Sequence, residues 1–206
     1  RTVTRGDAAL YMGLFGPRFA VQSSAAFARA IGYPDSPLDD MLVFHTVFGK
    51  KVPDVSLNAV ANLGYASCRF LQPVFPGTTL STVSEVIGVK QNSNGKTGTV
   101  YVRSTGYCES GEKVLEYTRW VMVRKRDPDA PVPEPLVPEL SDRVAPEELA
   151  TAVPSIDVSK YDYDLAGSPH RWGDYETGEK IDHVDGMTVE EAEHQIATRL
   201  FQNTAK

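Results

Sequence analysis

The stretch Pro37-Leu38-Asp39-Asp40-Met41-Leu42-Val43-Phe44-His45-Thr46-Val47-Phe48-Gly49-Lys50-Lys51 decides how the rest of the chain is read. From Met41 to Phe48 only His45 and Thr46 are not plainly apolar, so no polar face is left over. A helix of that kind belongs inside a core rather than on a surface. Asp39 and Asp40 stand where a capping carboxylate meets the orphan amides. Gly49, Lys50 and Lys51 stand where a helix stops, and Pro53 opposes its continuation. A short buried helix needs something wrapped round it, and the residues downstream supply a sheet.

Four strands are expected at 57–70, 79–91, 98–108 and 113–124. Their apolar residues alternate imperfectly, as in Val100, Val102, Ser104 and Val114, Glu116, Thr118. Asn94-Gly95 signals a hairpin between the second and third, and Glu109-Ser110-Gly111-Glu112 another between the third and fourth. Upstream, residues 2–15 read as an amphipathic helix with Thr4 as N-cap and Asp7 completing a capping-box pair, ended by Gly16-Pro17. A second helix is expected over 23–31, stopped by Gly32 and Pro34. Antiparallel strands curled round one helix make an α+β layer structure.

Residues 127–171 are a different material, a proline-rich acidic linker. Seven of the chain's 14 prolines lie between positions 128 and 154, which reads as an extended tether without a core of its own. Beyond it, laying 187–206 on 1–20 pairs Thr188 with Thr2, Val189 with Val3, Leu200 with Leu14 and Phe201 with Phe15. Glu193 falls on Asp7 and Ile196 on Leu10. The same helix-start grammar in the same frame marks a second copy of the first domain, beginning near Trp172. The expected organisation is therefore 1–126 as a first repeat lacking its opening segment, 127–171 as linker, and 172–206 as the start of a truncated second repeat.

At 206 residues the chain is long enough for a real core, with 41% hydrophobic and 23% charged residues. A net charge of -6 argues against nucleic acid, which asks for a basic patch. No apolar run approaches a membrane span and no signal peptide opens the chain, so a cytoplasmic protein is expected. Cys68 and Cys108 read as two reduced thiols in preference to a disulfide. No histidine pair has metal spacing and no glycine-rich phosphate loop is present, so neither metal nor cofactor is expected.

The segment Arg69-Phe-Leu-Gln-Pro-Val-Phe-Pro-Gly-Thr-Thr-Leu80 resembles the "RF-x-x-PV-x-PGDTL" stretch of MaoC-like dehydratases, which have the hot-dog fold. Ser23 to Tyr33 is similar to that family's small helix after its catalytic loop. Leu42 to Asp54 and Glu116 to Pro128 resemble most closely its two-repeat mesaconyl-CoA hydratase (β-methylmalyl-CoA dehydratase) branch. The resemblance covers 1–124 and 172–206 and implies a double hot-dog whose second copy is incomplete in this chain.

It also implies metal-free addition of water across an enoyl-CoA double bond, or the reverse. In the family an Asp and a His five residues later hold the water as general base and acid. Backbone amides at the buried helix's N-terminus polarise the thioester carbonyl. By the repeat, Pro17 and Gln22 occupy those two positions in the first copy. Asp39 and Asp40 would moreover repel a developing enolate there, so the first copy reads as a non-catalytic half that shapes the acyl pocket.

In the second copy Asn203 takes the Asp position, and its His would fall beyond Lys206. Gln202 and Asn203 are thus the candidate water- or substrate-positioning residues, with helix capping as their plain structural reading. Arg124, Lys125 and Arg126, at a strand end, are candidates for the CoA phosphates or simply a solvated terminus. His45 reads as a satisfied core histidine. Glu190, Glu191 and Glu193 read as first-turn acids, and adjacent Glu193 and His194 point about 100° apart on a helix. The expected partner is an acyl-CoA thioester, with mesaconyl-CoA and β-methylmalyl-CoA as the favoured pair. The repeats would form a pseudo-dimer, with homo-oligomers also possible. A hot-dog thioesterase and a non-catalytic acyl-CoA-binding module are the rival readings.

Overall fold

The computed structural model describes residues 1–16, 19–150, 155–167, 169–184 and 186–203. Pro17 and the last three residues, on which part of the sequence reading falls, lie outside them.

Thr4 caps helix α1 (Arg5–Phe15) with a full capping box: the Asp7 amide donates to the Thr4 hydroxyl while Asp7 accepts from the Thr4 amide. The expected helix over 23–31 is instead two pieces, a single turn α2 (Ala20–Ser23) and α3 (Ala25–Ala30). Ser24 divides them because its hydroxyl caps the Phe27 amide, a bond available only to a residue outside the helix. Helix α4 (Asp40–Lys50) follows, with Asp39 as N-cap accepting from the Met41 amide at 2.8 Å. Thr46 is tolerated in its buried side by donating back to the Leu42 carbonyl at 2.8 Å. The helix is not enclosed all round, however: Met41 is 45% exposed. Pro53 does not break the chain away either. The backbone runs on through a π-type turn, Val52–Ser56, whose first residues need no donor and so accept a proline.

The sheet comprises β1 (Ala59–Phe70), β2 (Ser81–Gln91), β3 (Thr97–Tyr107) and β4 (Lys113–Arg124), all antiparallel, in the order β1-β4-β3-β2. Both expected hairpins form. Gly95 and Gly111 take the left-handed backbone that their turns require, and the Asn94 side chain accepts from the Lys96 and Thr97 amides. Leu42, Val43 and Val47 of α4 join Leu80, Val114, Leu115 and Tyr117 in one core, with Phe44 against Tyr117 at 5.0 Å between ring centroids. β3 and β4 are buried on both faces, which is why their alternation is imperfect.

The second face is covered by the segment carrying Leu136, Pro138 and Glu148, which is tied back onto the sheet. Leu136 donates its amide to the Val89 carbonyl at the β2 edge, and Arg69 pairs with both Glu116 and Glu148. Helix α5 (Pro146–Ala150) lies in this segment.

Helix α6 (Glu191–Phe201) has the same 11-residue length as α1, its bounds displaced by 186 positions at both ends. Glu190 and Glu193 make its capping box at the positions equivalent to Thr4 and Asp7. It docks on α1 and α4, burying Leu200 and Phe201 in the main core.

Candidate functional site

The N-terminus of α4 is where a hot-dog helix would present its free amides, and here it is closed. Asp39 accepts from Met41, and Tyr11 of α1 donates its phenol to the same carboxylate. Burial first, and then the Asp39 charge, push the Tyr11 phenol up to about 12, so it stays a protonated donor. The Asp40 carboxyl is raised by burial and by its neighbour Asp39. Beside them is a cavity of about 20 Å³, lined by Ala8, Tyr11, Met12 and Gly16 of the α1 segment and by Gln22, Pro37, Leu38, Asp39 and Leu42. That is room for about one water, not for a thioester. Gln22 is at its wall, its Oε1 buried without a hydrogen-bond partner. Among the described residues, the ionisable groups lining the cavity are the Asp39 carboxylate and a phenol already bonded to it.

Gln202 and Asn203 lie together at the C-terminus of α6. Gln202 is its C-cap in left-handed conformation (φ 55°, ψ 27°), its amide bonded to the Arg199 and Thr198 carbonyls, and the Asn203 amide also donates to Thr198. Three aromatic contacts hold the turn before them. Phe201 stacks on His45 of α4 at 4.1 Å and on Phe15 of α1 at 5.9 Å, and meets Tyr11 at 6.2 Å. The Arg1 guanidinium bonds both the Leu200 carbonyl and Asp7.

Arg124, Lys125 and Arg126 are not brought to that place. Arg124 pairs with Thr97, roughly 23 Å along β3 from Ser104, where the last turn of α4 meets the sheet. The Lys125 ammonium is already engaged, donating to Gln91 Oε1 and to the carbonyls of Pro128 and Ala130.

The motif Arg69–Leu80 works as a brace. Leu38, leading into α4, donates to the Val74 carbonyl. Val3 donates to Thr78 while Gly77 donates to Val3, and Leu80 donates to Arg1. Gly77 supplies the positive φ of 102° that this turn needs. One short loop therefore ties the N-terminal segment, α4 and β2 together. The family profile described as MaoC like domain matches residues 1–107, which include that loop. The chain belongs to the MaoC-like family.

Among its relatives, this MaoC-like chain is 60% identical over 207 residues to a mesaconyl-CoA hydratase of Cereibacter sphaeroides, covering all of this chain and 60% of that one. It is 59% identical to a β-methylmalyl-CoA dehydratase of Chloroflexus aurantiacus, again over all of this chain and 58% of the relative. The chain thus spans about three fifths of the length of these relatives. A solved MaoC domain protein dehydratase from Chloroflexus aurantiacus superposes with a TM-score of 0.92 at 59% identity, over all of this chain and 58% of that one. A Mycobacterium tuberculosis protein described as a double hotdog fold superposes at a TM-score of 0.70 over 99% of this chain and 62% of its own, at 22% identity. The fold is the hot-dog fold.

Several features of this MaoC-like chain were not legible as site residues in the sequence. Tyr11 reads there as one apolar position of α1, Arg1 as a terminal charge, and Gly49 as a helix stop. Lys51 reads as part of the same stop, yet it is 1% exposed beneath the end of α4, bonded to Ser104 and 4.9 Å from the Tyr117 ring centroid. Burial first, and then the charge of Arg119, pull its ammonium down to about 7. Only the packing shows any of this.

On the outer sheet face lies a cleft of about 740 Å³, lined by Tyr101 and Trp120 of the sheet and by Val137, Pro138 and Leu140 to Val144 of the segment after it. Among the described residues no group of His, Cys, Asp and Glu has the arrangement to hold a metal ion, and no helix is long and apolar enough to cross a membrane.

Proposed function

We propose that this chain belongs to a cytoplasmic hydro-lyase acting on a branched enoyl-CoA, interconverting mesaconyl-CoA and β-methylmalyl-CoA. The observation that carries the reading is identity of 60% and 59%, over the whole of this chain, to two relatives named for the two ends of that reaction. In the hydration direction a water hydroxyl adds to the β carbon and a proton to the α carbon beside the thioester. No metal or cofactor takes part in this reading.

Residues 1–126 form the first repeat, 127–171 the linker and 172–206 the start of the second. The shared length, the capping boxes and the 186-residue displacement of α1 and α6 support this division. The first repeat is the supporting half, because its helix terminus is occupied by Asp39 and its cavity admits about one water. Chemistry falls to the second repeat, with Gln202 and Asn203 orienting water or substrate. An amide cannot take the water's proton, so the proton moves through a histidine expected five residues after Asn203. Arg124, Lys125 and Arg126 remain candidates for the CoA phosphates, with Arg124 and Arg126 better available than the engaged Lys125. The β1 edge, without a strand partner among the described residues and with Val60, Leu63 and Tyr65 exposed, supports side-by-side pairing of the two repeats' sheets.

Mass spectrometry of mesaconyl-CoA incubated with the full-length protein tests the reading. A gain of one water on the intact thioester is the expected result. Release of free CoA and mesaconate would make it a thioesterase. Binding without turnover across a panel of enoyl-CoAs would make it an acyl-CoA-binding module.

A further inference from the structure

We infer that the first repeat's central helix sets the position of the second repeat's catalytic loop, with Gly49 and His45 as the positioning residues. The inference rests on Gln202 and Asn203 belonging to the reacting site, as proposed above.

Three independent contacts converge on the last turn of α6. A Cβ on Gly49 would overlap the Phe201 carbonyl oxygen and lie 3.0 Å from its carbonyl carbon and 3.4 Å from that of Gln202. The backbone just before Asn203 is therefore in direct contact with α4, at the one position in its final turn that lacks a side chain. The His45 imidazole lies one turn earlier on the same helix, nearly parallel to the Phe201 ring at 21°. From the other side the Arg1 guanidinium holds the Leu200 carbonyl. Three consecutive residues, Leu200 to Gln202, are thus located against elements about 150 or more positions away in sequence.

The arrangement explains why a half without an acid–base pair would keep a tightly specified helix. Gln202 leaves α6 in the left-handed region, so the direction of the chain at Asn203 follows from where Phe201 is seated. Displacing that carbonyl by about 1 Å would shift the Asn203 side chain from the water or substrate that the proposed site has it orient. Misplacements of that size cost on the order of 10²-fold in rate.

Gly49→Ala in the full-length protein tests the inference, with Gly88→Ala as its matched control. A Cβ on Gly88 also meets a backbone carbonyl, that of Leu136 at 2.5 Å, but on the linker side of the sheet. Gly49→Ala is expected to lower kcat by on the order of 10²-fold with KM held, while Gly88→Ala lowers the melting temperature and leaves kcat per folded molecule unchanged. His45→Ala, with His45→Phe as the stacking replacement, serves if Gly49→Ala does not fold: loss with Ala and rescue with Phe are expected.

Full kcat in Gly49→Ala, or in His45→Ala, overturns the inference while leaving the site reading intact, provided Asn203→Ala is inactive. Loss of kcat in Gly88→Ala to the same degree also overturns it, since the effect would then be general destabilisation. If Asn203→Ala and Gln202→Ala retain full turnover, the site reading itself fails and the inference falls with it.

Discussion

The ring of Phe201 lies on the imidazole of His45 with 4.1 Å between centroids and 21° between planes, joining helices 156 positions apart in sequence. An imidazole stacked there and otherwise edged by Phe44 has lost most of its water. Burial lowers its pKa, and the Asp39 charge only partly opposes this.

That has a pH consequence. The unfolded chain takes up a proton at His45 near the ordinary value of about 6.5, while the folded chain does so only at lower pH. Stability from this group is therefore present above about 6.5 and lost as pH falls below it. His45→Phe, which keeps the stack without the titration, is expected to flatten the decline in melting temperature between about pH 7 and 5. Thermal unfolding of the two proteins across that range is the check.

Lys51 acts in the same direction but in an alkaline window. Its ammonium, with a folded pKa of about 7, is shielded from water beneath α4 with the buried Arg119 nearby. Between pH 7 and the unfolded value near 10.4, the unfolded chain binds the extra proton, so stability rises with pH across that span. Lys51→Met is expected to stabilise the protein at pH 7 by about 1–2 kcal/mol, because a desolvated amine beside the Arg119 charge is replaced by an apolar chain of similar length. It should also abolish the alkaline rise. Equal or lower stability in Lys51→Met by denaturant titration at pH 7 would show that the bond to Ser104 outweighs the desolvation.

The small cavity at the start of α4 predicts that restoring one residue does not restore chemistry. Gln22→His, placed in an Asn203→Ala background, is expected to give no hydration above that background. Asp39 still occupies the helix amides, and the space admits about one water. Recovered turnover of mesaconyl-CoA would mean that the first repeat is a latent site rather than a supporting half.

The linker's attachment is testable through Trp120, whose indole lies under it and stacks on Tyr101 at 6.2 Å. Leu136→Pro removes the amide that donates to Val89 at 2.8 Å. The expected result is a red-shifted tryptophan emission and faster proteolysis between 128 and 148, with the core melting temperature little changed. An unshifted spectrum would assign the attachment instead to the Arg69–Glu148 pair.

Local chemistry determined much of this protein before it folded. Thr4 with Asp7, Asp39 before an apolar run, and Asn94-Gly95 each act within a few residues, so helix starts and hairpins were legible in the sequence. The likeness of α1 and α6 was legible for the same reason, since both carry the same signals at the same spacing.

What the tertiary structure decided is what depends on partners distant in sequence. β1 pairs with β4 rather than with β2, because its chain neighbour is separated from it by the Arg69–Leu80 brace. Lys51 is a buried amine and not a solvated helix end, because Ser104 and Tyr117 close over it. Gly49 is a contact surface and not only a helix stop, because Phe201 arrives there. Periodicity and capping are sums over neighbours along the chain. Burial, desolvation and close approach depend on which faces meet, and those meetings exist only once the chain has closed.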